Sequence, residues 1–238
     1  MTENHFTNIE RHVPDLKQRS ILDLGSGRGG LLLLGKELGY NIVGLEYNPQ
    51  YIEETLRRAK EKGLQVQVQQ GKGEALPYPD ASFDFVNMAE VLEHVQEPDL
   101  VMQEVYRVVK PNGGVYVSVP SRYGAFDPHF KIYGVNWVPR AWSDAYISLF
   151  GKHKEYHTDA GEQRLSHMHY FTLPAIHTLL SKIGFTIIDA REDRLRHLAP
   201  KGTQFLAIVL YKLIRSWYFN TFHFILKKDS ASENSRSN

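Results

Sequence analysis

Ile21-Leu22-Asp23-Leu24-Gly25-Ser26-Gly27-Arg28-Gly29-Gly30 is the stretch that decides the fold. An apolar run ends in an acidic residue, passes through glycines at every second position and enters the helix-like residues 31–38. A glycine-rich turn between a strand and a helix brings backbone N–H groups close to a nucleotide-like ligand. The spacing Asp-x-Gly-x-Gly-x-Gly differs from the Gly-x-Gly-x-x-Gly of dinucleotide binders. An acidic side chain inside the turn repels a pyrophosphate. It favours a ligand without phosphates and with a cationic centre.

Outward from this turn, strand-like and helix-like segments alternate. Residues 41–45 read as a second strand ending at Glu46, and Pro49 opens a helix that runs to about Lys62. Residues 64–69 alternate as a strand. Residues 83–88 form a continuously apolar strand, as a sheet covered on both faces requires. Residues 90–95 and 99–109 are expected to be helical, with Pro98 between them, and Pro111-Asn112-Gly113-Gly114 turns into strand 115–119. Thr172 caps a helix over 173–183 that Gly184 ends, and residues 185–190 form a sixth strand. A helix over 201–216 and a last strand over 218–226 complete the sheet. The expected fold is α/β: a Rossmann-like, doubly wound, mostly parallel seven-stranded sheet, with a lid inserted between strands 5 and 6. Ligands of such sheets lie beyond the carboxyl ends of the strands, where Asp23, Glu46, Glu74 and Glu90 fall.

The 238 residues carry 28 basic and 27 acidic side chains, a net charge of +1, which leaves no electrostatic footprint for nucleic acid. Cysteine is absent, so neither a disulfide framework nor thiolate chemistry is available. The polar start lacks a signal-peptide pattern, no run reaches the length of a membrane span, and a cytoplasmic location is expected. One domain is expected over 1–228, with a cofactor-binding half at 20–119, an acceptor-side insertion at 120–170 and C-terminal helices and strands at 171–228. Residues 229–238 read as a disordered tail.

Four pieces resemble the class I S-adenosylmethionine-dependent methyltransferases, in the broad group that includes ubiquinone-pathway and sugar methyltransferases. They are the turn from Leu22 to Gly29; Gly44-Leu45-Glu46; Gly73-Glu74-Ala75-Leu76-Pro77 followed by Ser82-Phe83-Asp84; and Glu90-Val91-Leu92-Glu93-His94-Val95 with the segment from Arg107 to Gly114. The resemblance implies that S-adenosylmethionine is the cofactor. It implies that Gly25, Ser26 and Gly27 approach the methionine part while Asp23 orients the turn. Glu46 would accept both ribose hydroxyls, and Tyr47 and Leu76 would sandwich the adenine. Gly73, Glu74 and Ala75 would border the ring, Met88 and Ala89 would line the cofactor near its reactive methyl, and Glu90 would be a further cofactor-binding residue. One departure stands out: Lys72 occupies a position where the family often has an aspartate, and a charged lysine cannot accept a hydrogen bond. Glu74 or a backbone carbonyl would then receive the adenine amino group.

Methyl transfer from a sulfonium to a hydroxyl needs alignment and a base. Histidine is the natural base, and His94, His129 and His169 are the candidates. If residues 90–95 are helical, Glu90, Glu93 and His94 share one face. In some relatives a Glu-x-x-Glu-His run binds a divalent metal. The matching set here is Glu90, Glu93 and His94 with His169 or its neighbour His167. The bland alternative is that these residues only border the pocket.

The acceptor is expected to be a small molecule, a glycan or a lipid-linked sugar methylated on oxygen, with a phenolic or quinone precursor as the alternative. Arg122, Asp127, His129 and Arg140 are candidates for binding its hydroxyl or phosphate groups. The same sheet also serves nicotinamide-dependent oxidoreductases and non-catalytic binding proteins, and the glycine spacing counts against the former. Residues 203–226 are apolar stretches flanked or interrupted by Lys212, Arg215, Lys227 and Lys228. They read as a segment that lies on a membrane surface or packs on its own domain.

Overall fold

The computed structural model describes residues 3–151, 164–200 and 202–230. The tail expected from 229 lies outside the described residues from 231 onward, as do residues 152–163 of the insertion.

Five strands form in chain order: β1 (Ile21–Leu24), β2 (Ile42–Glu46), β3 (Val68–Gln70), β4 (Phe83–Ala89) and β5 (Val109–Pro120). A small hairpin follows, β6 (Phe126–Asp127) and β7 (Ile132–Tyr133), and then β8 (Thr186–Asp189) and β9 (Thr221–Lys227). The helices are α1 (Glu3–Glu10), α2 (Gly30–Glu37), α3 (Pro49–Glu61), α4 (Pro98–Val108), α5 (Arg140–Phe150), α6 (Leu173–Ile183), α7 (Ala190–Leu198) and α8 (Gln204–Tyr218). The seven-stranded sheet has the order β3-β2-β1-β4-β5-β9-β8. The β1–β2, β1–β4, β2–β3 and β4–β5 pairs are parallel, and only β9 runs antiparallel to its neighbours β5 and β8. The sheet is therefore mixed, mostly parallel and seven-stranded, as the residue pattern implies.

Alternation along the central strands sends side chains to two cores. Leu22, Leu24, Val86 and Met88 face a large cluster completed by Val101, Met102 and Val105 of α4 and Ile176, Leu180 and Ile183 of α6. Ile21 and Phe85 face the other side, against Phe6 and Ile9 of α1 and Leu31 and Leu32 of α2. The insertion builds its own small core from Phe130, Ile132, Val135, Ile147, Leu165 and Met168.

Two local expectations change. Residues 90–95 make a bend and a turn rather than a helix, because Glu90 takes a left-handed φ of 57° that starts no helix. The third strand covers only Val68–Gln70. Other boundaries agree with local chemistry: the Asn48 side chain accepts from the Gln50 N–H at 2.9 Å ahead of Pro49, and Thr172 accepts from the Ala175 N–H at 3.3 Å.

Phe85, fully buried between α1, α2 and the sheet, is a sensitive point of this arrangement. Phe85→Ala is expected to cost about 3–5 kcal/mol. Urea unfolding should show a lowered midpoint with an unchanged slope.

Candidate active site

The strand order reverses between β1 and β4, so a crevice opens beyond their carboxyl ends. The glycine turn forms one wall. Gly25 has a φ of 68°, and a Cβ there would lie 2.6 Å from Val91 Cγ2. Gly29 has a φ of 75°, and its Cβ would lie 2.5 Å from Thr55 Cγ2. Both positions need glycine for conformation and for space. A Cβ at Gly27 would meet nothing within 4 Å, so the middle of the turn is open.

The N–H groups of Gly25 and Ser26 donate to the Leu45 carbonyl at 2.8 and 3.1 Å, which ties the turn to the end of β2. Glu46 then closes it: Oε2 accepts from the Gly27 N–H at 2.7 Å and Oε1 from the Asn48 N–H at 2.9 Å. Asp23 is buried beneath the turn and accepts from Asn87 Nδ2 at 2.7 Å. Burial pushes its carboxyl up to about 7, opposed by the Asn87 hydrogen bond and assisted by the Glu46 charge. Ser26 Oγ is buried with no hydrogen-bond partner among the described residues, a polar group for a ligand to satisfy. An open glycine turn, an orphaned hydroxyl and two carboxylates at one crevice fit a cationic, hydroxyl-bearing cofactor.

The sequence reading missed Asn87 and His5. Asn87 Oδ1 pairs with His5 Nε2 at 2.9 Å, so α1 reaches the floor of the crevice. The one available signal was that Asn87 is, with Asp84, a polar residue inside the otherwise apolar β4. Past the end of β2, Tyr47 is 54% exposed, with Lys72 Nζ 5.5 Å from its ring centre. Glu74 Oε1 accepts from the Gln96 N–H at 3.0 Å, next to Gly73 and Ala75 on the loop after β3. Leu76 and Met88 are buried in the main core.

Beyond β4 the expected metal group is rearranged. Glu90 is exposed and, because its φ is left-handed, does not share a helix face with Glu93 and His94. His169 meets Glu93 only through its backbone, donating its N–H to the Glu93 carbonyl at 3.1 Å, and His167 is exposed. The partner that arrives is His129: its Nε2 lies 3.7 Å from Glu93 Oε1, and His94 Nε2 lies 3.9 Å from the same oxygen. One ligand atom from each of Glu93, His94 and His129 falls within a 4.8 Å group. Glu93 is fully buried, neither of its oxygens has a hydrogen-bond partner among the described residues, and burial pushes its carboxyl up to about 8.

His129 is oriented from behind. Tyr170 donates its hydroxyl proton to Asp127 Oδ2 at 2.8 Å and lies 3.0 Å from His129 Nδ1. Since Tyr170 has a single proton, Nδ1 must be the donor in that contact, and the neutral imidazole carries its lone pair on Nε2. Asp127 also accepts from the His129 and Phe130 N–H groups at 2.9 and 3.0 Å, so it is occupied as a structural acceptor. Arg122 is likewise spent on the carbonyls of Asn136 and Val138. Arg140 differs: its guanidinium lies 4.6 Å from the Tyr170 ring centre, and its two terminal nitrogens are buried without acceptors among the described residues. Burial, then Arg122, lowers its pKa to about 10.

Residues 22–117 match a family described as "Methyltransferase domain". This part of the chain belongs to the class I S-adenosylmethionine-dependent methyltransferases. The chain is 34% identical over 134 residues to a demethylmenaquinone methyltransferase of Lactobacillus johnsonii, covering 54% of this chain and 50% of that protein. It is 35% identical over 118 residues to a ubiquinone biosynthesis O-methyltransferase of Azorhizobium caulinodans, covering 50% of this chain and 47% of that one. The chain thus spans about half the length of these curated relatives. The crystal structure of an S-adenosylmethionine-dependent methyltransferase from Mesorhizobium loti shares the fold, with a TM-score of 0.60 and 18% identity over 94% of this chain and 97% of that one.

Glu93 makes stability depend on pH. Unfolded, it titrates near the ordinary 4.5; folded, near 8. A raised carboxyl favours the folded state fully below the lower value, and that contribution is lost as pH rises towards the upper one. Glu93→Gln should therefore gain about 1–3 kcal/mol over the natural protein between pH 5 and pH 8. Thermal unfolding of both proteins across that range reads the difference.

Proposed function

We propose that the protein is an S-adenosylmethionine-dependent O-methyltransferase whose acceptor is a small molecule, a glycan or a lipid-linked sugar. The observation that carries the O-methylation reading is the ordered chain Asp127–Tyr170–His129, which presents a basic Nε2 beside Glu93 at the mouth of the sheet. When bound, S-adenosylmethionine supplies an electrophilic methyl group on a sulfonium.

The chain's own residues do the rest. Gly25, Ser26 and Gly27 form the open turn for the amino-acid end, with Asp23 beneath it. Glu46 receives the ribose hydroxyls and gives up its bond to the Gly27 N–H to do so. Tyr47 offers its exposed ring to the adenine, with Gly73, Glu74 and Ala75 at its edge. His129 takes the proton of the acceptor hydroxyl at Nε2. Asp127 and Tyr170 hold its tautomer, and His94 and His169 border the same space. Arg140, with its terminal nitrogens unpaired among the described residues, favours an acceptor that carries a phosphate or carboxylate.

A phenolic or quinone precursor is the second reading, favoured by the two curated relatives named for the menaquinone and ubiquinone pathways. The cluster Glu93, His94 and His129 also has the composition of a divalent-metal site. In that reading Glu93, His94 and His129 would hold the ion, which would supply Lewis-acid activation of the acceptor hydroxyl.

Calorimetry tests the cofactor directly. Glu46→Ala should weaken S-adenosylmethionine binding by about 10–100-fold, the equivalent of one or two charge-assisted hydrogen bonds. Unchanged affinity, or binding of a nicotinamide dinucleotide instead, removes the assignment.

A screen of cell extract with labelled S-adenosylmethionine identifies the methylated product, and kinetics on that product test the base. His129→Ala should lower kcat by about 10²–10⁴-fold. Tyr170→Phe should lower it less and shift the acidic limb of the pH profile, where the His129 base gains its proton. Full activity in metal-free protein supports His129 as the base, and loss on chelation restored by magnesium supports the metal.

A further inference from the structure

The helix α8 (Gln204–Tyr218) turns a clean apolar face outward. Phe205, Leu206, Leu210, Leu213 and Trp217 are each more than half exposed, and Phe205 is 81% exposed. At about 100° per residue these positions, with Val209, fall within roughly 140° of the helix circumference. The opposite side is inward: Ile208 and Tyr211 are buried, and the Tyr211 hydroxyl donates to Asp189. Both sides of the helix are thus accounted for, and the exposed face is not a misplaced core.

The face continues beyond the helix. Trp217 stacks on Tyr123 with ring centres 5.1 Å apart, and Trp137, 59% exposed, donates its ring N–H to the Tyr123 carbonyl at 2.9 Å. The aromatic end of α8 is therefore joined to the insertion that carries Asp127, His129 and Arg140. Tryptophan and tyrosine have an apolar body and a polar tip, which suits the level of lipid headgroups.

The charge is distributed to match. Residues 190–218, which contain α7 and α8, hold six basic and two acidic residues, net +4. The other residues hold 22 basic and 25 acidic, net −3, so the net positive charge of a nearly neutral chain lies in this stretch of sequence, where Arg215 pairs with Asp189 just before it. The helix α8 itself has no acidic residue. Lys212 sits at the rim of the apolar arc, where it and the exposed Arg196 of α7 flank Glu192 Oε1 at 3.1 and 2.5 Å, and the Gln204 side chain donates to the Arg196 carbonyl. No helix among the described residues is long and apolar enough to cross a membrane. An exposed apolar arc, aromatic residues at one end and a basic surround are the features of a helix lying in the plane of a bilayer surface.

We propose that α8, with Trp217, Tyr123 and Trp137, docks the protein onto anionic membrane surfaces, with the acceptor-side insertion held next to the lipid. Docking does not depend on the methyltransferase reading.

The test is co-sedimentation of the full chain with vesicles of equimolar phosphatidylglycerol and phosphatidylcholine, alongside vesicles of phosphatidylcholine alone. The expected result is binding to the anionic vesicles at least tenfold stronger than to the neutral ones, weakened by salt. Leu206→Glu with Leu213→Glu, both at exposed positions, should reduce vesicle binding at least tenfold while leaving the melting temperature and S-adenosylmethionine affinity unchanged. Tryptophan fluorescence should be quenched by brominated lipid in the natural protein, and less so in Trp217→Phe. Absence of binding to anionic vesicles overturns the proposal, and so does a self-association that the same double substitution abolishes without any vesicle binding. S-adenosylmethionine affinity measured on the same samples keeps failure of docking distinct from failure of the cofactor assignment.

Discussion

The bond from the Gly27 N–H to Glu46 Oε2 joins the ends of β1 and β2 at the point where the strand order opens a crevice. A carboxylate at the end of a buried strand must be solvated by something, and here two backbone N–H groups do it. In the proposed function the same residue, which here shapes the turn, receives the ribose hydroxyls of the cofactor. The glycines are required because a Cβ at Gly25 or Gly29 would collide with Val91 or Thr55.

Beneath this closure lies a polar column, unusual inside a sheet: Asp23, Asn87 and His5, contributed by β1, β4 and α1. Burial alone would penalise the Asp23 charge heavily, and the Asn87 amide limits that penalty. The arrangement couples the N-terminal helix to the cofactor crevice through two hydrogen bonds rather than through apolar packing alone.

The acceptor side follows a different logic. Its core is small and separate, and its polar groups are sorted by whether the fold already uses them. Asp127 and Arg122 are consumed by backbone and tyrosine partners, while Glu93 and Arg140 keep buried atoms unpaired among the described residues. Unpaired buried groups cost free energy, and such a cost persists where a ligand or a reaction uses the groups.

The sequence by itself determined the sheet, the glycine turn and the carboxylates at the strand ends, because these depend on local periodicity and on short spacings that chemistry ties together. Asp23, Glu46 and Gly25–Gly29 needed no tertiary information. Only the tertiary structure decided the company of Glu93. A left-handed residue at Glu90 breaks the supposed helix face, and a hairpin some 35 residues later delivers His129 where His169 was expected. Tyr170 and Asp127 lie 43 residues apart, and no periodicity signals such a pair. The outward direction of α8 was equally hidden, since an apolar run reads the same whether it is covered or exposed. Spacing fixes what neighbours along one element can do, whereas the meeting of distant loops is set by how the whole sheet packs.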